Sequence, residues 1–224
     1  MHHLFSGTHA TENTGTDRPK YAPLKLLFTS NRSNTPISKG FLSFNIDNID
    51  EKWHEISKKL NWKVALDDKT ERRDIEDYWC RLKDFEINEL ILMDKYILNN
   101  NFIDWFIEKY IKKLQINKLD FTLLTQLEST TNNSYNSGNE IFQTLKKKLN
   151  LNTFNFYEIT FGDKNFHYFH DRILISNFFL IEIGAGFSRL KSNNDVNTVL
   201  HCSSIFDGFT YKRIKRLKEK IEGY

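Results

Sequence analysis

Cysteine, proline and methionine are scarce in this chain, with two, three and two in 224 residues. Cys80 and Cys202 stand far apart with no C-x-x-C spacing, which argues against a disulfide framework, a zinc cluster or a dithiol redox pair. They read as two ordinary thiols of a reduced, cytoplasmic protein. Three prolines and nine glycines exclude a low-complexity or collagen-like chain. Long hydrophobic runs are missing too. The longest, Phe178–Ile183, is broken by Glu182 and is far too short to cross a bilayer. Residues 1–20 are polar and rich in His and Thr, without the charged and apolar regions of a secretory signal, so a soluble protein is expected. Charge of one sign is lacking as well: 32 basic residues against 29 acidic leave +3, so any polyanion binding must come from local clustering. No P-loop, G-x-G-x-x-G, H-E-x-x-H or zinc-ligand spacing occurs, and neither metal nor cofactor is expected.

What the chain does have is material for a core. Hydrophobic residues make up 39% and aromatics 14%, with 19 Phe, enough for one large domain or two small ones. Residues 1–20 read as an arm, disordered or pinned only by a partner. Residues 21–86 read as a small α+β region: strands at Leu24–Phe28 and Phe41–Ile46, a helix over Asp50–Leu60 striped by Trp53, Ile56 and Leu60, and a strand at Trp62–Leu66. The charge-dense stretch Asp67–Asp77 reads as a solvated face or loop. From there residues 87–224 alternate more regularly. Leu90–Met93 is a buried strand ending at Asp94, a position where α/β folds place ligands, although a helix cap is the plainer reading. Phe102–Leu114 is a helix, Leu119–Leu124 a strand, Ser129–Gly138 a loop, Glu140–Leu149 a helix and Phe154–Ile159 a strand. The expected class is α/β, with a mostly parallel sheet flanked by helices and preceded by the small α+β region. Trp53, Trp62, Trp79 and Trp105 read as core, given their apolar neighbours.

The stretch that points to chemistry is H-D-R-I-L-I-S-N-F-F-L-I-E-I-G-A-G-F-S, from His170 to Ser188. Ile173–Ile175 and Phe178–Ile183 read as a hairpin turning at Ser176-Asn177. His170 and Arg172, two apart, fall on one face where the first strand begins. His167 lies three residues earlier and reads as a loop histidine. Gly184 and Gly186 allow a ligand or backbone to approach closely. Arg189, Lys191 and a closing helix over Tyr211–Ile221 with Lys212, Arg213, Lys215 and Arg216 add positive charge, although a solvated helix face is the plainer reading of the last four.

The spacing resembles the H-x-K-x4-D-x6-G-S-x-N pattern of phospholipase-D-type phosphodiesterases. His170 is kept, Arg172 stands at the lysine, Asn177 at the aspartate and Gly184 at the glycine, while Ala185 and Phe187 replace the Ser and Asn. The chain is more closely similar to the phospholipase-D-like domain at the C-terminus of MIT-domain proteins, through His170-Asp171-Arg172 and Gly184-Ala185-Gly186. That resemblance covers roughly Asn88 to the C-terminus. It implies binding to phosphoinositide-bearing membranes and dimerisation, without established hydrolysis.

The expected function is a phosphate-binding, catalytically degenerate module. Its phosphate ligands would be His170, Arg172, Gly184, Gly186, Arg189 and Lys191, with Lys212, Arg213, Lys215 and Arg216 as basic surface. The expected partners are nucleic acid or acidic phospholipid, together with proteins of a larger complex. The Asn/Lys/Ile-rich composition looks prokaryotic, which suggests nucleic-acid handling or anti-phage defence by analogy. Two alternatives stand beside it. In a dimeric nuclease, His170 would be the nucleophile and the second catalytic histidine would come from the other subunit of a homodimer. In a peripheral membrane module, the same groups would hold acidic lipid.

Overall fold

The structure is a computed structural model that describes residues 49–66, 72–127, 135–159, 172–191 and 198–223. The expected arm, the strands Leu24–Phe28 and Phe41–Ile46, and His167, His170 and Asp171 lie outside the described residues. The chain divides into two compact units, Met1–Ser57 and Lys58–Tyr224. Helix α1, Ile49–Leu60, begins in the first and ends in the second.

In the larger unit seven strands form one sheet: β1 Trp62–Leu66, β2 Glu86–Met93, β3 Gln115–Thr125, β4 Leu151–Glu158, β5 Arg172–Ser176, β6 Phe179–Ile183 and β7 Thr198–Ser204, ordered β1-β7-β6-β5-β2-β3-β4. The α/β class holds, but the sheet is mixed rather than mostly parallel. Only β2–β3 and β3–β4 run parallel, and the other four pairings are antiparallel. The cause is the length of the connections. Chain between β2, β3 and β4 is long enough for crossover helices α3 (Phe102–Lys109) and α4 (Gly138–Lys148), whereas β5 and β6 are joined by two residues, which allows only an antiparallel return.

Several elements differ from the sequence reading. Residues 67–77 were expected to form a solvated face or loop, and α2 spans Arg72–Cys80, because Ile75, Tyr78 and Trp79 make a narrow apolar stripe among the charges. β1 does not belong to a separate N-terminal region. It pairs along its whole length with β7, Val64 opposite Leu200, so the larger unit begins near Lys58 rather than at residue 87. The helix expected over Phe102–Leu114 stops at Lys109 and continues as a 3-10 turn at Ile111–Lys113.

The pleat sorts the side chains onto two faces. Ile91, Met93, Ile173, Ile175 and Leu180 pack against Ile214 and Ile221 of the closing helix α5, Gly208–Glu222. On the opposite side an aromatic layer forms. Trp79 meets Tyr110 at 4.8 Å and Phe106 at 6.0 Å between ring centroids, and its indole N–H donates to the Tyr110 carbonyl at 2.9 Å. Phe187 joins this layer against Phe106, at 5.1 Å. Trp62 and Trp79 are buried as expected, Trp105 half-buried, and the side chain of Trp53 lies outside the described residues.

Candidate functional site

β2 ends at Met93, and its neighbour β5 begins at Arg172. Met93 lies opposite Ile173, so the next pair, Asp94 and Arg172, sit side by side on the face away from α5. This is the carboxyl end of the parallel strands, the edge where open α/β sheets hold ligands. The chain leaves β6 at the same end, because Ile183 pairs with Arg172.

Both side chains grip the turn that follows β6. Arg172 donates from Nη1 to the Gly184 carbonyl at 3.2 Å. Asp94 accepts the Phe187 N–H on Oδ2 and the Tyr96 N–H on Oδ1, each at 2.9 Å. Between these contacts Gly186 has a φ of 96°, a conformation that L side chains resist, and a Cβ there would stand 3.4 Å from Asp94 Oδ2. Gly186 is therefore required by a latched turn, whereas a Cβ at Gly184 would meet Thr198 Oγ1 at 3.2 Å. Phe187 then enters the aromatic layer, which anchors the turn in the core.

Asp94 is fully buried, and desolvation pushes its carboxyl above the ordinary value. The Tyr96 and Phe187 amides and the Arg172 guanidinium pull the other way, without prevailing. Arg172 itself is half-buried, while Arg189 and Lys191 come off the short 3-10 turn Phe187–Leu190, Arg189 half-buried and Lys191 exposed. Lys95 follows Asp94 at the same edge. Of these cations Arg172 is the one that acts on the Asp94 carboxylate, and the Lys95 ammonium lies over the Tyr96 ring, 5.3 Å from its centroid.

Other expected residues fall elsewhere. Asn177, at the position of the family's orienting aspartate, sits at the far end of β5 from Arg172. There it donates to the Glu86 carbonyl at 3.1 Å and accepts from the Asn88 N–H at 3.3 Å, which ties the hairpin to β2. The turn itself is Asn177-Phe178 rather than Ser176-Asn177, and Ser176 Oγ accepts the N–H groups of Phe178 and Phe179 at 2.9 and 3.0 Å. The expected basic surface of α5 lies on the opposite face from Arg172. Its Arg213 pairs with Glu182 of β6 at 2.6 Å, and Lys215 stands 3.7 Å from Glu219 one turn on. Lys218 reaches Glu89 of β2 at 2.7 Å. Lys212, Lys215 and Arg216 are exposed. These cations do not converge on the rim.

The sequence reading left Asp94 as a cap and gave no role to Lys95. Its signal was present: an acidic residue closing the apolar run Leu90–Met93, a place where burial must be compensated. Cys80 and Cys202 are both free thiols, and burial raises the Cys202 thiol well above its usual range. Among the described residues no group of three or more His, Cys, Asp or Glu could hold a metal ion. Among the same residues no helix is long and apolar enough to cross a membrane.

No family model matches the chain, and no curated protein matches it either. Among solved structures one similar chain is TrmBL2, described as an archaeal chromatin protein that shows a novel mode of DNA binding. It shares 12% identity over 91% of this chain and 71% of its own, with a TM-score of 0.32. A superposition at that level does not establish a common fold.

Proposed function

We propose that this chain is a phosphate-binding module of phospholipase-D-like organisation that holds the backbone of a nucleic acid without cleaving it, as part of a larger assembly. The observation that carries the reading is the placement of Arg172: half-buried, steadied by the Gly184 carbonyl and Asp94, at the carboxyl edge of the parallel strands, with Lys95, Arg189 and Lys191 on the segments that leave that edge. A guanidinium fixed in this way presents a planar fork that suits phosphate oxygens. Asn177 speaks against hydrolysis. It is committed to the backbone of β2 at the other end of the strand from Arg172, away from the role the phospholipase-D pattern gives its aspartate, and Asp94 already accepts two amides.

The test is a mobility-shift titration with duplex DNA, single-stranded DNA and RNA across salt, beside a flotation assay with acidic vesicles. Binding should fall steeply with salt, with Lys191→Ala flattening the slope by about one counterion. Loss of one charge-assisted contact, about 1.5–3 kcal/mol, should cost Arg172→Ala tenfold or more in affinity. Arg172→Lys keeps the charge but not the fork, and it separates phosphate recognition from the latch. No retention of any polynucleotide at low salt would overturn the reading. Retention on vesicles alone would transfer it to lipid. Hydrolysis that disappears in His170→Ala would restore the nuclease.

A further inference from the structure

The opposite face of the sheet carries a second set of groups. Lys63 of β1, His201 of β7 and Glu182 of β6 are direct cross-strand neighbours and form one row beside α5. Arg213 of α5 reaches over the row to Glu182 Oε1 at 2.6 Å, and His201 Nδ1 stands 3.9 Å from Glu182 Oε2. Ser203, two residues along β7 on the same face, lies with Oγ 3.1 Å from His201 Nε2. The β1 side of the row is open to solvent, whereas Ser203 is buried. Lys63 and Ala65 are exposed, Val199 is 48% exposed and the His201 side chain 35%.

We propose that this row is a second phosphate-binding site, in which the Lys63 ammonium, the Arg213 guanidinium, the Ser203 hydroxyl and a protonated His201 hold a phosphate oxyanion. Charge complementarity supports it. Two permanent cations face one carboxylate, and one oxygen of that carboxylate is already held by Arg213. With the row empty, burial, Lys63 and Arg213 hold the His201 imidazole below its ordinary value, and Glu182 only partly offsets them. A seated oxyanion reverses the local field, so the imidazole gains a proton and donates through Nε2 as the Ser203 hydroxyl turns toward the ligand. Binding and protonation are then linked, and affinity rises as pH falls toward the acid side of neutral. The plainer use of the same contacts is mutual satisfaction of Ser203 and His201, which predicts no response to anions.

The inference is independent of the rim, because it uses other residues on the other face. The test follows the His201 imidazole resonance, assigned by loss in His201→Gln, against pH in the full chain. Three conditions are compared: no anion, pyrophosphate and a short single-stranded oligonucleotide. A tenfold preference of the anion for the charged imidazole corresponds to an upward shift of about one pH unit. Lys63→Ala should weaken pyrophosphate binding, whereas Arg172→Ala should leave the His201 response intact. A shift with both ligands assigns a phosphodiester backbone, and a shift with pyrophosphate alone assigns a free phosphate compound. A titration unmoved by either ligand, with His201 still resolved, overturns the proposal whatever becomes of Arg172.

Discussion

A carboxylate removed from water and still accepting two backbone amides is retained for geometry at an electrostatic cost, and Asp94 is such a group. Folding raises its proton affinity. Its contribution to stability is therefore most favourable below the ordinary value of 3.8 and is lost as pH rises through the higher folded value. Asp94→Asn removes the charge but leaves one oxygen for two N–H donors. Urea unfolding at neutral pH should show a loss of about 1–3 kcal/mol from the orphaned amide. The variant should also lack this group's share of the pH dependence. A variant as stable as the parent, or more so, would mean that burying the charge costs at least as much as the second amide contact contributes. The residues of this region were only partly legible in the chain. Arg172 and the two glycines announce themselves by spacing. The carboxylate that meets them is distant in sequence and becomes their neighbour only through the pairing of β2 with β5. Asn177 matched a pattern position yet faces the wrong end of its strand, because spacing along a chain does not specify which end of a hairpin a side chain serves.

Among the elements, helices with a broad apolar stripe were legible from the sequence. α4 begins where Ser137 Oγ accepts the Glu140 N–H at 3.2 Å and Glu140 returns to the Asn136 N–H at 2.9 Å, a reciprocal cap written in Ser-x-x-Glu. Ser137→Ala should cost about 1 kcal/mol in urea unfolding, with little change in the denaturant slope. An unchanged midpoint would show that Phe142 and Phe154, stacked at 5.7 Å, hold this helix on their own. α2 was hidden because its stripe is three residues wide within a field of charge. β7 was hidden because Thr198–Ser204 mixes apolar Leu200 and Cys202 with His201 and serines, and its burial comes from the two strands beside it.

For the whole molecule, β1 is the instructive strand. Its sequence was legible and its membership was not, since the partner that defines it lies at the other end of the chain. A fragment starting at Lys58 keeps buried Trp62, Val64 and Leu66 over β7 and should melt cooperatively in circular dichroism. A fragment starting at Asn88 forfeits those side chains, worth about 1.5–3 kcal/mol each, and bares an edge. It should elute as aggregate or show no cooperative melt. Equal melting temperatures for the two fragments would contradict the single-sheet account.

β2 also acts as a seam. On one side it meets the strand that follows it in the chain, in parallel. On the other it meets β5, after most of the crossover units have already been traversed. The hairpin half and the crossover half can each organise among residues near in sequence, but neither becomes part of a common sheet until this long loop is closed. The entropy of that closure grows only logarithmically with the intervening length, so lengthening the chain between β3 and β5 bears lightly on the final balance while delaying its attainment. The latch of Asp94 on Phe187 lies across this seam and can form only once the two halves have met.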